Sequence, residues 1–555
     1  MTVKVSVMPE DFGEFDYIVI GAGSAGCVLA NRLSENVNNS VLVLEAGSKD
    51  DYIWIHIPVG YLYCMGNPRT DWCYKTDSEQ QLNNRELCYP RGKTLGGCSS
   101  INGMIYMRGQ AADYDRWQQA GNVGWGWDDV LPFFRKSENH FGGETPFHGS
   151  RGELRVEKQR LRWDILEAFR EAAAQEGIAK IPDFNTGDNT GSSYFQVTQK
   201  AGFRWSAARA FLHPALKRPN LRLQTRALVH RVEIQNKRAA GVLFEMAGKY
   251  YFARAKREVV LSSGAIGSPA ILERSGIGQA ERLLDLGINP IVNLPGVGEN
   301  LQDHLQIRCA YRVEKVPTLN MRAGSWLGKA LIGMEYALRR SGPMSMAPSQ
   351  LGIFARSDPR FATANLEYHV QPLSLSAFGG ALDAFPAFTA SVCNVRPDSR
   401  GSVHLRSAVP ADAPHIHPNY LAAETDQRIA IDAVRLTRRI VAEPALAKYN
   451  PTEIRPGMSF QSDNELLEEI GRISTTIFHP AGTAAMGTGT SAVVDPQLRV
   501  YGVQGLRVMD ASIMPFITSG NTNAPSIMIG EKGAAMILAD AKAGRDFWPT
   551  AKAAA

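Results

Sequence analysis

The stretch 'FDYIVIGAGSAGCVLANRLSE', Phe15 to Glu35, constrains this chain more than any other. Phe15 to Ile20 is a short apolar run of β-formers. It meets Gly21, Gly23 and Gly26 in GxGxxG spacing, and the apolar residues of 'AGCVLANRL' then recur at helical intervals. A second buried strand, 'SVLVLEAG', ends at Glu45, about twenty residues past the last glycine. Strand, glycine turn, helix, strand and acid in this order predict a dinucleotide site. Gly21 allows the tight turn, Gly23 admits a pyrophosphate to the backbone, and Gly26 lets the helix lie against the strand. The first helical residues, Ser24 and Ala25, would face the phosphates, with Glu45 and Ala46 beside the ribose. The motif alone does not choose between NAD and FAD.

Composition excludes several classes. Sixty basic and 55 acidic residues leave a net charge of +5 on 555 residues, without a block of like charge, so nucleic acid is not an expected partner. Seven scattered cysteines without CxxC spacing argue against a disulfide framework or zinc site and fit a reducing compartment. No metal site is expected. The first fifteen residues hold no apolar secretory core, and no apolar run reaches membrane-spanning length. A cytoplasmic protein is therefore expected.

Four further segments carry chemistry. 'PRGKTLGGCSSINGMIYMRG' (Pro90 to Gly109) is rich in glycine and small hydroxyl residues, which suits a loop wrapping an anionic or heteroaromatic ligand. 'SSGAIGSPAILERSGIG' (Ser262 to Gly278) follows an apolar strand, 'LPGVGENLQDH' ends at His304, and 'TIFHPAGTAAMG' is followed by 'GLRVMDASIMPFITSGNTNAPSIMIGEKGAAMI'. Taken together these resemble the glucose–methanol–choline (GMC) oxidoreductases, flavoproteins that oxidise alcohols. The resemblance runs from about Asp16 to Leu538, and bacterial choline-dehydrogenase-like and alkanol-dehydrogenase-like members look nearest.

The resemblance implies FAD. Gly21, Gly23 and Gly26 would then serve the pyrophosphate and Glu45 the ribose. The loop at Arg91, Gly96, Gly97, Ser99, Asn102, Gly103 and Met104 would run along flavin and diphosphate. Val229 would meet adenine, and Asp510, Ala511 and Asn523 would lie near the diphosphate, ribityl chain and flavin. Some relatives tether flavin through a histidine where this chain has Ile101, so the FAD is expected to be non-covalent. The family's catalytic pair maps onto His479 and Asn521. An imidazole accepts the alcohol proton near neutral pH, and an amide holds the same oxygen without competing for the proton.

A helix starting between Asn523 and Pro525 would aim its N-terminus at the flavin's pyrimidine end. His304 is expected to be structural, His415 and His417 surface strand residues without acidic company, and Trp117, Trp125 and Trp127 packing groups. Cys98 reads as a small packing residue.

The expected fold is an α/β, Rossmann-like FAD-binding domain interleaved with an α+β substrate domain carrying an antiparallel sheet. The first would take residues 14–127, 199–309 and 475–540, the second 128–198 and 310–474, with a tail at 541–555. Strands are expected in 'LEYHVQPLSL', 'FTASVCNV' and 'GSVHLRS', flanked by the helix 'QRIAIDAVRLTRRIVA'. Choline-handling relatives carry a glutamate just after 'QDH', where this chain has neutral Gln306. The expected substrate is therefore an uncharged primary alcohol, aliphatic or aromatic, ahead of choline. Electrons would pass to a quinone-type acceptor or to oxygen, with a peripheral contact at the inner membrane as part of the quinone reading. A flavin photoenzyme or lyase on the same scaffold is the alternative of another class, and a flavin-binding protein without turnover a third. Oligomeric state is not written in the chain.

Overall fold

The computed structural model describes residues 8–376 and 379–544, so most of the expected tail lies outside the described residues. Two seven-stranded sheets dominate. The first has a parallel heart in the order Leu221–Thr225, Val41–Glu45, Glu10–Ile20 and Lys249–Leu261. Leu506–Val508 pairs parallel with the C-terminal end of that last strand. Its other flank is an antiparallel arm of Arg238–Met246 and Leu228–Gln235. Val41 to Glu45 is wholly buried, as a strand covered on both faces requires. The helix Ser24–Ser34 packs beneath the sheet and against the long helix Asn523–Ala543, which begins where the sequence predicts.

The second sheet is antiparallel, in the order Thr452–Arg455, Leu305–Arg312, Ala387–Asn394, Leu366–Gln371, Leu351–Ala355 and Gly191–Tyr194. Thr475–Thr476 pairs with the start of Leu305–Arg312. Strand alternation gives it two chemically distinct faces. Ile307, Cys309, Tyr311, Leu366, Tyr368, Val370, Phe388, Ala390 and Val392 face an apolar layer completed by the helix Glu424–Ala442. Gln306, Arg308, Glu367, His369, Gln371, Ser391 and Cys393 occupy the alternate positions, turned away from that layer.

Three features differ from expectation. Leu305–Arg312 belongs to the second sheet throughout, so the boundary expected at 309 falls inside a strand. Residues 128–156, expected in the substrate domain, place Val130, Phe134, Leu154 and Val156 in the nucleotide-side core, because the helix Trp127–Ser137 packs on the C-terminal helix. Finally, 'GSVHLRS' forms a separate two-stranded ribbon with His415–His417 instead of joining the sheet.

Candidate active site

One continuous cavity of about 2100 Å³, including the space at its mouth, runs between the two sheets. Its nucleotide end is lined by Gly21, Gly23, Ser24, Ala25, Glu45, Ala46, Val229, Asp510 and Ala511. Its middle is lined by Arg91, Gly97, Asn102, Gly103 and Met104, and its far end by His479, Asn521 and Asn523. These expected residues, drawn from five separated segments, meet in one wall.

Gly26, Gly96 and Ser99 do not line the cavity and act one layer behind it. A Cβ on Gly26 would stand 1.9 Å from the Gly21 carbonyl oxygen, so only glycine lets helix and turn touch. The Gly96 amide donates to the Ala22 carbonyl at 2.8 Å. The Ser99 hydroxyl donates to the Gly96 carbonyl at 2.6 Å and accepts from the Ala207 amide at 2.9 Å. All three hold the loop's shape.

The residues fit a dinucleotide carrying a heteroaromatic ring. Two helices, Ser24–Ser34 and Asn523–Ala543, start on the cavity wall without a side-chain cap. Their first-turn amides therefore offer donors and positive dipole ends to an anion. The Ser24 hydroxyl donates to the Asn523 side-chain oxygen at 2.8 Å and ties the two starts together. Glu45 accepts from the amides of Ala22 (2.9 Å) and Gly47 (2.8 Å), and burial pushes its carboxyl up to about 7. Asp510 accepts from the Gly264 amide and from the Ser268 and Ser512 hydroxyls, and burial raises its pKa. Ile101 is buried on the wall where a tethering histidine would stand.

At the far end, side chains form a directed chain. The Asn521 amide nitrogen lies 3.0 Å from His479 Nε2, His479 Nδ1 lies 3.1 Å from His304 Nδ1, and His304 Nε2 lies 3.2 Å from the Val395 carbonyl. A carbonyl only accepts, so His304 Nε2 carries a proton and neutral His304 offers a lone pair at Nδ1. His479 Nδ1 must then donate to it, which leaves the His479 lone pair on Nε2, facing Asn521 and the cavity. Burial, with His304, His369 and Arg91 nearby, holds the His479 pKa well below the usual imidazole value. Nε2 is thus a neutral base. The Asn521 side-chain oxygen is buried without a partner among the described residues, a cost of about 1–3 kcal/mol that a ligand hydrogen bond would relieve.

Asp303 anchors the pair. One carboxylate oxygen accepts from the backbone amides of His304 (2.9 Å) and His479 (2.7 Å). The other accepts from the hydroxyls of Tyr89, Tyr420 and Thr476. Phe478, the residue before His479, has φ +70, an uncommon conformation for a bulky side chain, and its carbonyl accepts from Arg91 at 2.7 Å. His304 is therefore more than a loop prop, since it is the direct partner of His479.

Trp117 and Trp125 are fully buried in the nucleotide-side core, their indoles bonded to the carbonyls of Phe516 and Pro496. They form no substrate cage. His415 and His417 are surface strand residues, but they do have acidic company, from Asp77 and Glu79 of a distant loop. The cavity also exposes residues that sequence reading passed over: Tyr61, Arg308, Ser349, His369 and Gln371. For Arg308, His369 and Gln371 the only signal was strand alternation in 'LQIRCAYR' and 'LEYHVQ', which marks two faces without saying which one meets a ligand, and Tyr61 and Ser349 stand outside any such pattern.

The GMC oxidoreductase family models match residues 15–306 and 397–530. Human mitochondrial choline dehydrogenase is 42% identical over 537 residues, covering 95% of this chain and 90% of the relative. An alcohol dehydrogenase (acceptor) of Pseudomonas putida is 40% identical over 528 residues, covering 94% of this chain and 96% of the relative. Among solved structures, pyridoxine 4-oxidase from Mesorbium loti superposes with a TM-score of 0.87 at 30% identity, covering 95% of this chain and 99% of that one.

Proposed function

The chain belongs to the GMC oxidoreductase family, whose cofactor is FAD, and we propose that it oxidises a primary alcohol to the aldehyde. The observation that carries this reading is the chain from Asn521 through His479 to His304, which leaves a neutral imidazole lone pair facing the cavity. A substrate hydroxyl entering between His479 Nε2 and Asn521 donates its proton to Nε2 and accepts from the Asn521 amide. Two bonds to one oxygen orient the carbinol C–H. Asp303 and His304 fix the imidazole's place and tautomer, and burial excludes the water that would compete for Nε2. FAD, when bound, supplies the acceptor for the hydride. Ser24, Ala25 and the other residues at the start of Ser24–Ser34 would hold its phosphates without a covalent tether, and His479 and Asn521 would line the end of the cavity that takes its ring system.

Substituting His479→Ala tests the base. Anaerobic flavin reduction by alcohol is expected to slow at least about 10³-fold with FAD content unchanged. Near-normal reduction would remove His479 from this role.

A quaternary ammonium alcohol is the second reading, favoured by the likeness to choline dehydrogenase. Gln306 weighs against it: the residue lies on the cavity wall, carries no charge, and spends its amide on the Thr476 carbonyl at 3.2 Å. We therefore favour an alcohol without positive charge. The pairing of His479 with Asn521 suits alcohol oxidation better than a lyase or photoenzyme.

For the acceptor we favour a quinone over oxygen. No helix among the described residues is long and apolar enough to cross a membrane. The helix Trp326–Arg339, however, presents Leu327, Leu331, Met334 and Leu338 on one exposed face, with Trp326 80% exposed at its start. Arg322, which pairs with Glu335, and Arg339 flank that face at its two ends. Apolar residues with cations beside them suit an anionic bilayer surface. The chain runs from this helix into Pro348 and Ser349 on the cavity wall. A peripheral contact of an otherwise cytoplasmic protein follows. Flotation with vesicles one-third phosphatidylglycerol is expected to carry the protein, and the double substitution Leu331→Glu, Leu338→Glu to release it. No flotation of the wild type sinks the contact.

A further inference from the structure

Arg308 is buried on the substrate side of the cavity, 8% exposed, and its guanidinium makes no hydrogen bond or ion pair among the described residues. The charged side chain nearest in influence is another cation, Arg455, and its other polar neighbour is the Tyr61 phenol. Burial lowers the Arg308 pKa only to about 10, so the cation persists at neutral pH. Burying an unpaired charge is costly, and folding gains nothing from it here. The nearest carboxylate on the same sheet face, Glu367, is absent from the cavity wall and lies 3.1 Å from His369 Nε2.

The surroundings are also unsatisfied. Strand register sets Arg308 opposite Ser391, and Ser391 opposite His369, in one row across three strands. Among the described residues Arg308 Nη2 and the Ser391 hydroxyl lack a hydrogen-bond partner, His369 Nε2 has only the poorly aligned Glu367 carboxylate at 3.1 Å, and Arg308 and His369 line the cavity with Gln306, Tyr61 and Gln371. An unpaired guanidinium with an idle hydroxyl beside it describes a receptor for an anion. One unpaired guanidinium on the cavity wall suits a monoanion, and its planar fork matches a carboxylate in two parallel bonds.

We infer that the alcohol oxidised here carries a carboxylate at the end remote from the reacting carbinol, and that Arg308 is the group that binds it. This rests on the alcohol-oxidation reading and changes the substrate expected from sequence from an uncharged alcohol to a hydroxy acid. The geometry sets its length. His304, in contact with His479, directly precedes the strand Leu305–Arg312, and extended chain over the four residues to Arg308 spans at most about 13 Å between Cα atoms. With both ends reaching inward, a short aliphatic or single-ring spacer fits between carbinol and carboxylate.

Two measurements on the FAD-loaded protein test it. In steady-state kinetics with a dye acceptor, 6-hydroxyhexanoate and 4-(hydroxymethyl)benzoate are compared with 1-hexanol and benzyl alcohol. The acids are expected to have kcat/KM at least 30-fold higher, and Arg308→Gln to shrink that ratio at least 30-fold, with Arg308→Lys recovering part of it. Equal or lower kcat/KM for the acids overturns the inference. Calorimetry with hexanoate and hexanamide, neither of them an alcohol, provides the second readout. Hexanoate is expected to bind at least 30-fold tighter than the amide, and only when Arg308 is present. If it does so while no alcohol reduces the flavin, the anion receptor stands and the alcohol reading falls. If hexanoate binds no better than hexanamide, the receptor falls whatever the alcohols do. A melting temperature of Arg308→Gln at or above the wild type's excludes a purely structural role for the arginine, and a large drop supports one and counts against the receptor.

Discussion

The two ends of the cavity are built by different means. The nucleotide end is mostly backbone: glycines, uncapped helix starts and amides around Glu45 and Asp510. The substrate end is side chains from strands that meet only in the folded sheet, with several polar atoms left unpaired. A backbone site recognises what is common to every turnover and tolerates no added atoms. A side-chain site can be retuned one residue at a time. The first should therefore break abruptly under substitution and the second by degrees.

The largest effect belongs to the backbone end. Gly26→Ala puts a methyl within 1.9 Å of the Gly21 oxygen, and the expected outcome is protein that purifies without yellow colour or does not fold. FAD content at the wild-type level would erase the contrast. Next comes Asn521→Ala, which removes one of two bonds to the reacting oxygen. It should lower kcat/KM about 10²–10³-fold with FAD retained, read from anaerobic flavin reduction.

His304→Phe should cost less in rate, about 10²-fold or below, but should also move the pH profile. In the wild type, burial and the neighbouring imidazole keep His479 neutral well below the usual imidazole pKa, so kcat/KM should stay level as pH falls through 6.5. Without His304 one of those influences is gone and the acid limb should shift upward. An unchanged profile would assign His304 to packing alone.

The smallest effect is at Glu45. Burial pushes its carboxyl up to about 7, and ribose hydroxyls would donate more strongly to the ionised form than to the neutral one. FAD binding therefore releases a proton below pH 7. Affinity should rise with pH by at most about tenfold per unit up to 7 and level off above. Titration of apoprotein with FAD from pH 6 to 8 reads this slope, and Glu45→Gln should flatten it.

The same contrast explains what was legible in the sequence. GxGxxG and Glu45 lie within thirty-odd residues whose spacing is dictated by one strand, one turn and one helix, so local physics suffices. His479 and Asn521 were found through motif resemblance. That resemblance did not disclose that His304 sets the imidazole's tautomer, because a hydrogen bond between residues 175 positions apart leaves no local mark. Gly26 holds helix against turn as its place in the motif suggests, whereas Gly96 and Ser99, read as running along the ligand, stand behind the cavity wall and shape the loop. Arg308 escaped because its strand reads identically whichever face meets solvent, core or ligand. The ribbon formed by 'GSVHLRS' with 'HIH' escaped because short strands are assigned partners by the whole fold.

Leu506–Val508 completes the first sheet, and the helix that follows it supplies the second uncapped start on the cavity, tied back to Ser24. A cleft begun by residue 10 thus closes only after residue 523 has left the ribosome. While the chain is being made, the glycine turn exists without its opposite wall. A chain cut anywhere before that helix therefore holds half of this wall, the glycine turn without the second uncapped start.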